Sequence, residues 1–412
     1  MPQSFPSPVM PALAIRAYTA TTALGRGRDA QAAALRDRRG GLRPNDFGDG
    51  LAATERLDCW IGRVDGIESA PLPADAAQWE CRNNRLAWLA LQQDGLLEAI
   101  AQVRARYGAE RVAIVLGTST ASIGATEEAY TRLQDDDDGT TRFPADLARP
   151  TVHTPHSLGM FVQHATGLRG PCITVATACS SSAKVFAQAA RLLQVGVVDA
   201  VLVGGVDTLC GSVLFGFNAL GLVSAEPCRP FDARRDGLSL GEAGGFALLE
   251  RVTHAGADGL QLRGYGESSD AHHMSAPHPQ GLGARLAMGA ALARAGIDAA
   301  QVGYLNLHGT ATPANDAIEA RAVAALFPDT LHASSTKGWT GHTLGAAGIV
   351  ESVFALIALE DGVLPGILNS DERDDACGAQ IRIDNAQRGI RYAMNNSFGF
   401  GGNNCSLVFG KA

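Results

Sequence analysis

The segment Thr177-Ala-Cys-Ser-Ser-Ser182 decides the fold, because it stands between a predicted strand and a predicted helix. Residues 172–176 form a short apolar, β-rich run, which is typical of a buried strand. Residues 181–195 are rich in alanine and carry apolar residues at helical spacing, and a second strand is predicted at 200–204. Strand–helix–strand alternation predicts an α/β architecture with a mainly parallel sheet that is buried on both faces.

The same alternation extends to both sides of this segment. Further strands are predicted at 111–117, 246–250 and 303–307, and further helices at 284–295, 316–326 and 348–359. We interpret residues 253–258 as a seam between two similarly built halves. Neither half is expected to fold as a free domain, because the two are too interdependent.

The composition favours a compact globular enzyme, with 412 residues of which 18% are charged and 46% hydrophobic. A net charge of -8 disfavours a nucleic-acid-binding surface. No apolar run approaches the roughly 20 residues that span a bilayer, and no secretory signal is apparent, so we expect a cytoplasmic protein without membrane contact. The eight cysteines are scattered without a C-x-x-C pair, which predicts neither a metal site nor a disulfide framework.

Cys179 is the cysteine whose surroundings suggest chemistry. A side chain at a strand-to-helix turn is exposed, and the helix N-terminus there favours a thiolate and offers a backbone N–H to an oxyanion. The alternative interpretation is a buried cysteine beside a serine-rich N-cap. The local pattern alone leaves both interpretations open.

Two histidines stand in similar settings. His308 follows a predicted strand and precedes Gly-Thr-Ala-Thr312, and His342 lies between Gly341 and Thr343 after a segment that contains Lys337. A single histidine is more often structural than catalytic, but two at glycine-flanked turns beside a reactive cysteine favour catalysis. A thiolate can hold an acyl group, and two imidazole N–H groups can stabilise an enolate oxygen.

A glycine-rich turn at residues 395–404 carries two aromatic side chains. A nucleotide-binding loop is a weak interpretation of it, since no Lys-Ser/Thr follows. A backbone N–H donor with an aromatic gate fits the turn better.

Over nearly its whole length, the chain resembles the β-ketoacyl-acyl carrier protein synthases of the thiolase-like condensing-enzyme superfamily. Besides the cysteine segment, the motifs that carry the resemblance are Arg229-Pro-Phe-Asp-Ala-Arg-Arg-Asp-Gly237, Gly241-Glu-Ala-Gly-Gly245, Ser268-Ser-Asp-Ala-His-His-Met274, Asn306-Leu-His-Gly-Thr-Ala-Thr-Pro-Ala-Asn-Asp316 and Gly341-His-Thr-Leu-Gly-Ala-Ala-Gly348. The resemblance implies an α/β, thiolase-like fold with two pseudo-symmetric halves in a five-layered αβαβα arrangement. Residues 1–255 would carry the nucleophilic cysteine and residues 256–412 the two histidines.

The resemblance also implies the reaction and its partners. Cys179 would accept an acyl primer from acyl carrier protein, while His308 and His342 bind the malonyl thioester carbonyl and promote decarboxylation to an enolate that attacks the acyl group. No cofactor is implied, since phosphopantetheine arrives on the carrier protein. The expected assembly is a homodimer, or a heterodimer with a chain-length-factor-like homologue.

The remaining implied roles concern residues around these three. Supporting residues that orient the histidines are Lys337 and Glu351, with Asp316 and Glu319 in the network behind them. The oxyanion hole is formed by the N–H groups of Cys179 and Phe400, and Phe400 is also the gate. The pantetheine arm is held by Thr310 and Thr312, the acyl pocket includes Thr120 and Phe398, and candidate carrier-docking charges are Arg82, Arg85, Arg142 and Arg229.

Two alternative functions share the fold. A non-catalytic chain-length partner subunit lacks the cysteine, which is present here. A thiolase acting on coenzyme A thioesters carries a second cysteine near the C-terminal glycine-rich turn, where this chain has Phe398-Gly-Phe-Gly-Gly-Asn. The pathway stays open between fatty-acid and type II polyketide or polyene synthesis, because Thr120 is small where many fatty-acid enzymes have a bulkier aliphatic residue.

Overall fold

The computed structural model describes residues 9–48, 56–252 and 259–412. The predicted seam at 253–258 lies outside the described residues. The elements up to residue 252 are the strands β1 Leu13–Thr22, β2 Gly25–Arg26, β3 Arg43–Pro44, β4 Trp60–Gly62, β5 Val112–Gly117, β6 Gln134–Asp135, β7 Thr141–Arg142, β8 Cys172–Val175, β9 Ala200–Asp207, β10 Leu240–Gly241 and β11 Ala243–Arg251, and the helices α1 Gly27–Arg36, α2 Arg82–Leu91, α3 Leu96–Tyr107, α4 Ile123–Thr131, α5 Ser157–Thr166, α6 Ser181–Gln194 and α7 Gly211–Ala219.

The elements from residue 259 onward follow the same plan. They are the strands β12 Leu260–Ser269, β13 Val302–Asn306, β14 His332–Ser334, β15 Val363–Leu364, β16 Ala386–Gln387, β17 Tyr392–Gly399 and β18 Asn403–Lys411, and the helices α8 Leu282–Ala295, α9 Pro313–Ala324, α10 Lys337–Thr340 and α11 Ala347–Asp361. The strands and helices predicted from the sequence all occur, with ends shifted by a few residues.

The large sheet repeats one pairing pattern twice. From β1 outward the order is β11, β9, β5 and β8, and from β12 outward it is β18, β17, β13 and β14. In both series the first two pairings are antiparallel and the next two are parallel. Strands β1 and β12 join the two series through a short antiparallel pairing. The two halves are therefore pseudo-symmetric, with α6 and α11 at equivalent places.

Of the four apolar clusters that the described residues form, three lie between the five layers of the fold. The central core contains α6 and α11, which pack against each other and against both halves of the sheet. One outer core contains side chains of α2, α3 and α5, and the other contains side chains of α8 and α9. This arrangement confirms the predicted five-layered αβαβα fold. In the described part of the chain, no helix combines the length and apolar character needed to cross a membrane.

The central helices approach so closely because the second residue of α11, at the contact, is a glycine. A Cβ on Gly348 would lie 2.3 Å from the Ala183 nitrogen and 2.8 Å from its Cβ. Both helices have small side chains at this contact, so their N-terminal ends can pack closely.

We expect Gly348→Ala to lower the free energy of unfolding by about 1–3 kcal/mol, because the added methyl group overpacks the central layer. Gly289→Ala is the matched control. Gly289 lies inside α8 with open space around it, so alanine there should stabilise the helix by up to about 1 kcal/mol. Urea unfolding midpoints of the two variants should shift in opposite directions. A Gly348 variant as stable as the unmodified chain would contradict the packing argument.

Candidate active site

The Cys179 turn is built by its hydroxyl neighbours. The strand β8 ends at Val175, and Ser181 accepts a hydrogen bond from the Thr177 N–H at 2.9 Å while its hydroxyl donates to the Ala178 carbonyl at 2.6 Å. Ala178 has a φ of 52°, a left-handed conformation that a non-glycine residue adopts at a cost. The turn places Cys179 immediately before α6, as the sequence predicts, and leaves it buried.

The three predicted reactive side chains meet at one point. The His342 Nε2 lies 2.9 Å from the Cys179 sulfur. The rings of His308 and His342 are edge to face, with centroids 5.5 Å apart. One ligand atom from each of the three residues lies within 4.8 Å of the others. Residues separated by 163 positions in the chain thus form one reactive cluster.

His308 is held from behind by Glu319. This carboxylate on α9 accepts the backbone N–H groups of His308 at 2.9 Å and Gly309 at 2.8 Å. Gly309 is required at this turn, since its φ is 33° and a Cβ would lie 2.5 Å from that of Ser335. Burial raises the pKa of Glu319 to about 7, against the two backbone N–H groups that lower it.

Asp316 holds the loop that follows. Its carboxylate accepts the backbone N–H groups of Ala311 at 3.2 Å and Phe231 at 2.8 Å. It is fully buried, and burial raises its pKa. The predicted supporting network behind the site is thus present as backbone clamps, and its effect on activity stays a prediction.

A buried ion pair sets the protonation of His308. The Lys337 ammonium lies 2.5 Å from Glu351, donates to the His308 carbonyl and lies 3.4 Å from the His308 Nδ1. Because an ammonium can only donate, Nδ1 acts as the acceptor and the ring proton resides on Nε2. Burial and the Lys337 charge lower the pKa of both His308 and His342 well below its usual value. Both rings are therefore neutral, and the Nε2–H of His308 is available as a donor.

The structure corrects the expectation that Cys179 rests as a thiolate, because its sulfur is buried. Desolvation raises the pKa of the Cys179 thiol to about 11, although the Lys337 charge and the Phe400 N–H act in the opposite direction. The helix N-terminus is in place, but sequence reasoning did not register that the sulfur is buried. The resting cysteine is a thiol that needs a base, and His342 is in contact with it.

A cavity of about 340 Å³ opens onto this cluster. The predicted pantetheine residues Thr310 and Thr312 line it, with their hydroxyl oxygens 2.9 Å apart. Phe398 and Phe400 line it too, and the Phe400 ring stacks on Phe217 with centroids 5.8 Å apart. The Phe400 backbone N–H is directed at the Cys179 sulfur, so the geometry permits its predicted oxyanion role.

Thr120 is not among the residues that line the cavity at Cys179, and its place in the acyl pocket stays a prediction. Its hydroxyl donates to Asp207 at 2.7 Å and its backbone N–H at 2.9 Å. Thr120 therefore serves as a hydrogen-bond donor to the buried carboxylate of Asp207.

The four predicted docking arginines are in different environments. Arg82 binds the fully buried Glu242 through two nitrogens, at 2.9 and 2.6 Å, so it is a scaffold residue and offers no free charge to a carrier protein. Arg85 pairs with Glu80. The two others are the exposed Arg142, 3.0 Å from Asp136, and the half-buried Arg229. The sequence identifies these arginines but does not show which carboxylates pair with them.

The same donor set raises the question of a metal ion. A thiol and two imidazoles at this spacing could ligate zinc. The Lys337 ammonium beside His308 disfavours a second cation at this place. We retain the prediction that the site works without a metal.

Sequence reasoning missed two residues near the site. Asp207 ends β9 as the last residue of a Gly-Gly-Val-Asp run, a pattern that carries no recognisable signal by itself. Phe217 on α7 becomes part of the cavity wall only through its stacking on Phe400.

Comparison with known proteins places the chain in one family. The sequence profiles for the N-terminal and C-terminal domains of beta-ketoacyl synthase match residues 74–255 and 260–371. Nodulation protein E of Rhizobium meliloti is 37% identical over 308 residues, which are 73% of this chain and 75% of that protein. The chain belongs to the β-ketoacyl synthase family. A 3-oxoacyl-[acyl-carrier-protein] synthase 2 of Vibrio cholerae is 40% identical over 260 residues, 59% of this chain and 63% of that protein, so this match spans less than two thirds of the relative.

Solved structures of the same family superpose over almost the whole chain. A ketosynthase, ApeO, solved in complex with its chain length factor from Xenorhabdus doucetiae, is 35% identical with a TM-score of 0.87, and 98% of both chains is covered. A beta-ketoacyl synthase from Burkholderia phymatum is 28% identical with a TM-score of 0.84, over 98% of this chain and 100% of that one.

We expect alkylation of Cys179 by iodoacetamide to accelerate about tenfold per pH unit between pH 7 and 10, because only the thiolate reacts and its pKa is about 11. The Cys179 peptide should be quantified by mass spectrometry at each pH. A rate that is already constant at neutral pH would show that the helix N-terminus outweighs burial.

Proposed function

We propose that this member of the β-ketoacyl synthase family catalyses a decarboxylative Claisen condensation. An acyl primer held on Cys179 would react with malonyl-acyl carrier protein to give 3-oxoacyl-acyl carrier protein. The observation that carries the proposal is the contact of 2.9 Å between Cys179 and His342, with the neutral His308 beside them at the end of one cavity.

The first half-reaction loads the primer. His342 Nε2 takes the thiol proton, and the Cys179 sulfur attacks the primer thioester. The oxyanion is stabilised by the N–H groups of Cys179 and Phe400. When the tetrahedral intermediate collapses, the pantetheine thiolate leaves and takes the proton from His342, so the imidazole is neutral again.

The second half-reaction forms the carbon–carbon bond. The bond from the malonyl α-carbon to its carboxylate breaks, carbon dioxide leaves, and the electron pair forms an enolate. The Nε2–H group of His308 donates to the enolate oxygen. His342 leaves the loading step with its ring proton on Nδ1, which is buried without a hydrogen-bond partner among the described residues, so it donates from Nε2 once that proton has moved to Nε2. The α-carbon attacks the acyl carbonyl, the C–S bond breaks, and the Cys179 thiolate takes up a proton from solvent.

The alternatives have weaker support. A non-catalytic partner subunit would have no use for a cysteine in contact with a neutral histidine. A thiolase would need a second reactive cysteine at the turn between β17 and β18, but Cys405 is fully buried within β18. Condensation gives a role to Cys179, His308 and His342 together.

We propose acyl carrier protein and a second chain of the same fold as partners. The ApeO ketosynthase was solved with its chain length factor, which supports a heterodimer with such a homologue beside a homodimer. Helices α4 and α7 are in contact and carry exposed apolar side chains, including Tyr130 at 62% and Phe215 at 41%. The pathway, fatty-acid or polyketide, and the cytoplasmic location stay predictions.

The condensation is tested with a primer on acyl carrier protein and with malonyl-acyl carrier protein. We expect one carbon dioxide for each 3-oxoacyl product, and an acyl adduct on Cys179 alone. Cys179→Ala should abolish the adduct and the product, whereas the control Cys405→Ala should retain both. An adduct on another cysteine while Cys179 stays unmodified would refute the assignment.

His308→Ala and His342→Ala should each slow malonyl decarboxylation about a hundredfold, since one donor to a developing oxyanion contributes roughly 3 kcal/mol. The rate is measured as carbon dioxide released from malonyl-acyl carrier protein with acylated enzyme. His332→Ala controls for loss of a buried imidazole, because the His332 Nε2 only donates to the Pro365 carbonyl, at 2.9 Å. Decarboxylation near the unmodified rate in a His308 or His342 variant would exclude that residue as an enolate donor.

A further inference from the structure

Asp207 is a buried carboxylate that gathers donors from two separate turns. It ends β9, is fully buried, and accepts hydrogen bonds from five residues. One oxygen accepts from Thr118, Thr120 and the Ala121 N–H, and the other from Ser119 and from the Gly345 N–H at 2.6 Å. Within the described residues, no cation forms an ion pair with it. Neutral donors alone therefore balance its charge.

The two turns it joins are both strained. Ala121 has a φ of 46° and Leu344 has a φ of 56°, although neither is glycine. Such residues persist only where their surroundings hold them. Asp207 binds the backbone of Ala121 itself and of Gly345, directly after Leu344. The carboxylate thus holds both turns through their backbone N–H groups at or beside the strained residue.

The second of these turns, at Leu344, directly follows the loop that contains His342. On its N-terminal side, the His342 N–H donates to the Ser239 carbonyl at 2.7 Å, and its carbonyl accepts the Gly241 N–H at 3.0 Å. On its C-terminal side, the clamp is the bond from Gly345 to Asp207. Gly345 approaches so closely that a Cβ would lie 2.6 Å from a carboxylate oxygen of Asp207. The loop that presents the imidazole to Cys179 is therefore fixed at both ends.

We propose that Asp207 is a positioning residue for His342, which sets the imidazole against the Cys179 sulfur by anchoring the Leu344–Ala346 turn. The inference rests on the proposed role of His342 as a donor to the enolate. Asp207 contacts no reacting atom and acts only through the backbone. The adjoining Thr118–Ala121 turn supplies most of the hydrogen-bond donors that hold this carboxylate in place.

Asp207→Asn separates charge from shape. The amide keeps the volume but replaces one acceptor oxygen by an NH₂ group, which would face N–H and O–H donors and leave some of them unsatisfied. We expect the turn after His342 to shift. A displacement of even a fraction of an ångström at a catalytic group is costly, so malonyl decarboxylation should fall at least tenfold.

A double-mutant cycle shows whether Asp207 acts through His342. Decarboxylation is compared in the unmodified enzyme, Asp207→Asn, His342→Ala and the double variant. We expect the tenfold loss from Asp207→Asn to shrink below twofold once His342 is alanine. The same loss in both backgrounds would overturn the inference and leave His342 in its role. No loss in His342→Ala itself would overturn the proposed function and the inference with it.

Two milder variants cover the case in which Asp207→Asn does not fold. Ser119→Ala removes a hydroxyl from the oxygen that also accepts the Gly345 N–H, and Thr120→Val removes one from the other oxygen. Each variant removes one hydroxyl donor to Asp207, but the Ser119 hydroxyl also accepts the Gly345 N–H at 3.3 Å, so only the first variant loses a direct contact with the turn that follows His342 as well. We expect Ser119→Ala to slow decarboxylation by at least threefold more than Thr120→Val, and only where His342 is present. Equal effects, or a larger effect of Thr120→Val, would overturn the inference.

Discussion

The close contact between α6 and α11 is the constraint on which the site depends. Cys179 lies just before the first helix and His342 shortly before the second, so the distance between the helix starts determines the distance between sulfur and imidazole. Gly348 against Ala183 sets that separation. Because these helices occupy equivalent places in the two halves of the fold, the reactive cluster lies at the pseudo-symmetric centre of the molecule.

Burial then determines the chemistry of the cluster. A neutral imidazole is a donor suited to an enolate, and desolvation together with the Lys337 charge keeps both histidines neutral. The same desolvation keeps Cys179 protonated, which would make the resting enzyme inert until a base acts. The buried Lys337 ammonium is paired with Glu351 at 2.5 Å, and a buried charge without such a partner is costly.

Much of this could be predicted from the sequence, because the relevant signals are local. Apolar runs at strand and helix spacing located the elements around Cys179, and glycine-flanked histidines located two further turns. Properties that depend on distant partners could not be predicted. Arg82 was assigned to a surface because its partner Glu242 lies 160 positions away. Thr120 was assigned to a pocket because its own segment gives no sign of its hydrogen bond to Asp207, which lies 87 positions later. The raised pKa of Cys179 depends on packing in three dimensions.

The cavity at Cys179 is lined by two aromatic side chains that can contact a primer. The wall near the sulfur is formed by Phe400 and by Phe217, whose rings are stacked. Phe400 also directs its backbone N–H at the Cys179 sulfur, so one residue contributes both the wall and an oxyanion donor. It is followed by Gly401 and Gly402, with φ of 76° and 73°, conformations that favour glycine. An acyl group that only rotates the ring leaves this donor in place, whereas one that shifts the backbone of the turn also moves the donor that must stabilise its own transfer.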